Sequence, residues 1–191
     1  MTDLIVVYDA NVLYSAPLRD FLVELALTSV FEARWTEEIH SEWMRNVLQN
    51  RPDLTLEQVT RTKNLMNAHV KNCLVTDYEE LIPQLQLPDP GDSHVFAAAI
   101  RSRAGFIVTF NLSDFPNEIL APYNIRAIHP DRFILRLLDL NSDAVCQAAQ
   151  TQRLRLRNPP KTPDEYLETL INQGLPQSVS LLRQLCYGGS F

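Results

Sequence analysis

Two short runs of branched and aromatic residues, Leu4–Tyr8 (LIVVY) and Phe106–Phe110 (FIVTF), set the terms for this chain. Neither alternates cleanly between apolar and polar residues, so each reads as a strand covered on both faces, the condition of a strand inside a parallel sheet. Asp9 and Asn11 stand at the exit of the first run, Asn111 and Asp114 at the exit of the second. Ile125–His129 (IRAIH) and Cys73–Thr76 (CLVT) are further short strand candidates, and Phe31–Thr36 (FEARWT) is a weaker one.

Helical signals fall between these runs. Pro17 sits near the first turn of a helix through LRDFLVELAL. Thr36, followed by Glu37 and Glu38, predicts a helix to about Gln49, and a capping box from Thr55 to Gln58 predicts one to about Asn72. LPDPGDS is a turn whose Asp92 or Ser93 caps HVFAAAIRS, and Pro130 opens the helical DRFILRLLDL. This alternation predicts an α/β fold around a mostly parallel sheet. Ser142 to about Arg157, a linker NPPKTP, a helix from the capping box Thr162–Glu165 to a stop at Gly174, and a last helix ending near Gly188 follow. They suggest a domain over residues 1–140 and a helical extension over residues 141–191.

With 191 residues, 46% hydrophobic and 21% charged, the chain can bury one good core. Its net charge of −6 argues against a generally basic, nucleic-acid-coating surface. Locally the balance reverses, because Arg132, Arg136, Arg153, Arg155, Arg157 and Lys161 face only Asp139 and Asp143 in their stretch. No apolar stretch approaches the roughly 20 residues of a membrane span, and the N-terminus, with Asp3 and no basic segment, does not read as a signal peptide; the expectation is a cytoplasmic protein without a membrane. Cys73, Cys146 and Cys186 form no CxxC pair, so neither a disulfide framework nor a thiolate metal site is expected, and a reducing compartment fits. Five glycines supply no P-loop or GxGxxG fingerprint, and the four histidines no HExxH motif. His94 reads as a helix-surface residue.

Carboxylates remain as the candidates for chemistry. In a parallel α/β sheet, strand exits and the starts of following helices share one edge, where ligands bind. Asp9 ends the first strand, Glu42 lies in the helix after FEARWT on the margin of the stripe Ile39, Trp43 and Val47, Asp92 opens a helix, and Asp114 follows FIVTF. Acids gathered in a partly buried cleft repel one another, so either some hold their protons or a cation neutralises them. A hard divalent ion is the simpler solution, and Mg²⁺ or Mn²⁺ leaves positions for a phosphate. Metal-assisted phosphodiester hydrolysis is the implied reaction.

VVYDANVLYS, Glu42 in TEEIHSEWMRN, LPDPGDSHVFAAAI and FIVTFNLSDFP resemble, in order and spacing, the four acidic motifs of the PIN domain, over roughly residues 3–135. The resemblance implies a PIN-like fold and an Mg²⁺- or Mn²⁺-dependent endoribonuclease acting on single-stranded or loop RNA, most like the toxins of VapC-type toxin–antitoxin pairs. It makes Asp9, Glu42, Asp92 and Asp114 the catalytic, metal-binding set, with Asn11 and Thr109 in support. Asn111 stands where many relatives carry an acid, and Asp89 is an alternative to Asp92, which is preferred for its place at the helix start. The implied partners are RNA, a cognate antitoxin and a second copy of the chain. Arg153 and Arg157 are candidates to grip RNA phosphates. Two other functions compete: a non-catalytic PIN-like module binding RNA or protein, and a phosphatase of the haloacid dehalogenase type, whose first motif Asp9-Ala-Asn11 loosely resembles.

Overall fold

A computed structural model describes residues 4–188, so Asp3 lies outside the described residues. In chain order the elements are β1 (Ile5–Tyr8), α1 (Ala10–Tyr14), α2 (Ala16–Ala26), β2 (Glu32–Arg34), α3 (Glu37–Asn50), α4 (Leu56–His69), α5 (Ser93–Ser102), β3 (Phe106–Val108), α6 (Asn117–Leu120), β4 (Arg126–Ile128), α7 (Pro130–Arg155), α8 (Pro163–Ile171) and α9 (Pro176–Tyr187). They pack as two compact units. One takes the chain up to Tyr14 together with Phe31–His129, the other Ser15–Val30 together with the chain from Pro130 onward.

The first unit is built on a sheet of order β2-β1-β3-β4, with every pairing parallel. Val6, Val7 and Tyr8 of the interior strand β1 are wholly buried, which explains its unbroken apolar run. From β1 the chain goes to β2 on one side and later to β3 on the other, so a topological switch point opens at the carboxyl ends of β1 and β3. Thr36 caps α3 by accepting the Ile39 N–H at 3.0 Å. The Thr55–Gln58 capping box starts α4, which stops at His69 rather than about Asn72. Cys73–Thr76 is not a strand: Leu74 makes a single parallel bridge to Trp35. Beyond β2 the backbone stays extended only through Trp35 and Thr36 before α3 begins, so the pairing is limited to this bridge.

The second unit is helical. Leu18, Phe21 and Leu22 of α2, Phe133, Ile134 and Leu137 of α7, Tyr166 and Leu170 of α8, and Val179 and Leu182 of α9 are all buried. The predicted helices DRFILRLLDL and that from Ser142 run end to end as α7, interrupted by the non-helical backbone of Asn141 and ending at Arg155. Packing groups the chain from Pro130 onward with Ser15–Val30. Asp131 ties α9 to α7: its carboxylate accepts the Ser178 hydroxyl at 2.6 Å and the Ser178 and Gln177 N–H groups at 2.7 and 3.1 Å. Contrary to the expectation of unpaired thiols, Cys146 and Cys186 form a disulfide, with Cα atoms 5.2 Å apart. Sequence spacing hid this pair, because only the packing of α9 on α7 brings the two together. Cys73 is a buried free thiol.

Candidate active site

Asp9 follows β1 at the switch point and is 3% exposed. Its Oδ2 accepts hydrogen bonds from Asn11 Nδ2 and Thr109 Oγ1, both at 2.7 Å. Asn11 also donates to Thr109 Oγ1 at 2.9 Å, and its Oδ1 receives the Phe110 N–H at 3.1 Å. The strand exits of β1 and β3 are thereby stitched together through side chains, and the Asp9 carboxylate is held in one orientation. Asn111 contributes its backbone, donating N–H to Thr109 Oγ1 at 3.0 Å.

The other acids come from three further segments. Glu42 lies on α3, about a turn and a half from its capped start. Asp92 stands at the start of α5 but makes no side-chain cap, so its carboxylate is not spent on the helix. Asp89 is the turn residue of this pair, its Oδ1 accepting the Gly91 N–H at 2.8 Å. Asp114 ends the short helical turn Leu112–Asp114 and is half-buried, with Ser113 Oγ donating to its Oδ1 at 3.3 Å.

These groups share one electrostatic field. Burial, then the charges of Asp9, Asp89, Asp114 and Glu42, push the Asp92 carboxyl up to about 7. Asp9 is also raised, by burial first and by Glu42 in addition, against the opposing hydrogen bond from Thr109. The sequence-predicted acids are thus brought into mutual influence, as acids at one sheet edge must be.

His94 was missed. It is 6% exposed rather than on the helix surface, because residues Ser93–Ala99 of α5 are buried on every side. Its Nε2 lies 3.5 Å from Glu42 Oε2 and its Nδ1 3.8 Å from Glu38 Oε2. Burial disfavours the charged ring, but the hydrogen bond to Glu42 and the charges of Glu38, Glu42 and Asp9 outweigh it and raise the His94 pKa. The legible signal was the all-round apolar character of HVFAAAI, which implies a helix with no solvent face. Glu38, Glu42, Asp89, Asp92 and His94 line one cleft of about 290 Å³.

The donors are carboxylate oxygens, which suit a hard divalent cation. Among the described residues no three acidic, histidine or cysteine groups form a ready metal cage. Such an open set fits an ion that keeps several waters and is held by a few carboxylates. Arg153 and Arg157 are not a matched pair. The helix ends at Arg155, and Arg153 is turned inward, with Nη1 donating to the Lys161 carbonyl at 3.0 Å. Arg157 is exposed, beyond the helix end.

Residues 5–113 match a family model described as PIN domain, and residues 130–184 match one described as VapC50 C-terminal domain. Over 99 residues the chain is 43% identical to a curated protein of Mycobacterium tuberculosis named "Putative ribonuclease VapC50", covering 52% of this chain and 58% of that protein. The chain thus spans less than two thirds of the length of the relative it matches. No solved structure matches it significantly.

Proposed function

The chain belongs to the PIN domain family, and from that premise we propose that it is an endoribonuclease, dependent on Mg²⁺ or Mn²⁺, that hydrolyses phosphodiester bonds in single-stranded or loop RNA. One observation carries the proposal: four separate segments place Asp9, Glu42, Asp92 and Asp114 in a common field strong enough to hold the Asp92 carboxyl up to about 7. Isolated structural acids do not behave so; an acid cluster awaiting a cation does. Asp9, Asp92 and Asp114 would hold the ion, with Glu42 binding it or orienting the attacking water. The ion, when bound, supplies charge neutralisation at the phosphoryl oxygens and acidifies water.

The chain's own residues do the positioning. Asn11 and Thr109 fix the Asp9 carboxylate, and the His94 ring lies 3.5 Å from the Glu42 carboxylate. In hydrolysis the water oxygen bonds to phosphorus as the P–O ester bond breaks, the water proton passes to a carboxylate, and the leaving oxygen is protonated from solvent. Asp92, free of capping duty, suits the ligand role better than Asp89.

The relative's name and the two family matches support a VapC-type ribonuclease, and we propose a cognate antitoxin as its partner and the cytoplasm as its place of action. No helix among the described residues is long and apolar enough to cross a membrane. Incubating the purified chain with labelled RNAs, with Mg²⁺ or Mn²⁺ and with chelator, tests the proposal. Cleavage that the chelator abolishes and either ion restores is expected. Cleavage that survives exhaustive chelation would refute the mechanism, and RNA binding without cleavage under every ion would favour the non-catalytic module.

A further inference from the structure

The cleft lined by Glu42 and Asp92 carries, besides the buried His94, one arginine in its described lining, Arg45. It lies on α3 in the series Glu38, Ser41, Glu42, Arg45, whose spacing of three and four residues puts all four on one face of the helix. Across the cleft stand Asp89, Gly91 and Asp92. Arg45 is exposed and takes part in no ion pair or hydrogen bond among the described residues, although acids surround it. Three other cations of the same unit are held by acids, Arg34 by Glu32, Arg51 by Asp53 and Lys63 by Glu37.

A polyanion entering a cleft lined by Glu38, Glu42, Asp89 and Asp92 is repelled unless a positive group receives it. A guanidinium is the best such receiver for phosphate, since its planar fork gives two parallel charge-assisted hydrogen bonds. Arg45 lies three residues beyond Glu42, roughly 4.5 Å further along the helix axis. It can therefore meet a phosphate beside the one presented to the acids without neutralising the acids themselves.

Building on the endoribonuclease proposed above, we propose that Arg45 is the RNA-positioning residue of this cleft, binding a phosphate adjacent to the scissile one. The test compares binding of a fluorescent single-stranded RNA, at graded salt with Mg²⁺ present, by full-length Asp9→Asn and by Asp9→Asn carrying Arg45→Gln, Arg45→Lys or, as a control on α4, Arg61→Gln. Wild-type cleavage is assayed alongside. Arg45→Gln should weaken binding about tenfold at low salt and flatten the log–log salt slope by about 0.7, the share of one phosphate contact. Arg45→Lys should keep the slope and recover part of the affinity, while Arg61→Gln should change neither. Because Arg45 is exposed, the melting temperature should not move, which separates lost binding from lost folding.

Unchanged affinity and slope in Arg45→Gln, or a flattening matched by Arg61→Gln, would overturn the assignment even if wild type cleaves RNA. A flattened slope with a wild type that cleaves nothing would support Arg45 and refute the nuclease instead. No RNA binding by the parent would refute Arg45, and a cleaving wild type would then leave the nuclease standing.

Discussion

Asp9 in the sheet unit and Asp131 in the helical unit are equally hidden, each 3% exposed, yet they live in opposite surroundings. Asp131 is met by donors: a hydroxyl and two N–H groups at the start of α9 take its oxygens. Asp9 has two side-chain donors on Oδ2, but its wider neighbourhood holds Glu42 and Asp92, and its pKa is raised. Burial alone therefore does not mark a working carboxylate. A structural acid is surrounded by donors, while an acid set for chemistry is surrounded by other acids and gains stability from a cation.

The largest effect that sharpens this contrast is on cleavage. Asp9→Asn should lower the cleavage rate by about 10³-fold, while stability stays level or rises because one repelling charge is gone. Rates at equal folded fraction, with melting curves, would check both halves. Next in size is the clip of the helical unit: Cys146→Ser with Cys186→Ser opens a link spanning 40 residues of sequence and should cost about 2–4 kcal/mol of stability in denaturant melts. Asp131→Asn should cost about 1–3 kcal/mol, since an amide cannot accept all three donors, and leave the Mg²⁺-induced thermal shift intact. If Asp131→Asn removed that shift, the division between the two aspartates would be lost.

A smaller effect separates the units by pH. Asp92, held up to about 7, keeps in the fold a proton that the unfolded chain releases near its ordinary value. The fold thus binds more protons than the unfolded chain between roughly 4 and 7, so metal-free stability falls as pH rises through that window. Asp92→Asn should flatten the fall, and an unflattened curve would mean that Asp92 does not hold the proton. Smallest of all, Arg153→Gln should leave the salt slope of RNA binding unchanged, because its guanidinium is occupied by the Lys161 carbonyl.

Much of this was legible beforehand where physics is local. The caps at Thr36, Thr55 and Thr162 and the buried runs of β1 and β3 act over a few residues and can be read directly. The acids at the strand exits were legible too, because a parallel sheet dictates which edge carries them. Three features were not. His94 looked like an ordinary polar residue in a helix, but packing buries α5 from Ser93 to Ala99 on every side. Cys146 and Cys186 are too far apart in sequence for their spacing to declare a bond. Arg153 could be placed on a helix but not turned inward or outward, since its partner is a carbonyl beyond the helix end.

By itself the sequence determined the order of strands and helices, the caps that start them and the residue types at the sheet edge, because these follow from hydrogen bonding and periodicity between near neighbours. The tertiary structure alone decided which buried aspartate has its oxygens taken by hydrogen-bond donors and which is pressed by other acids, that Arg45 stays unpaired on the acid cleft, and that two distant cysteines meet. Each of these depends on distances between segments far apart in the chain. Electrostatic and covalent partnerships are set by separation in space, which only the packed fold supplies.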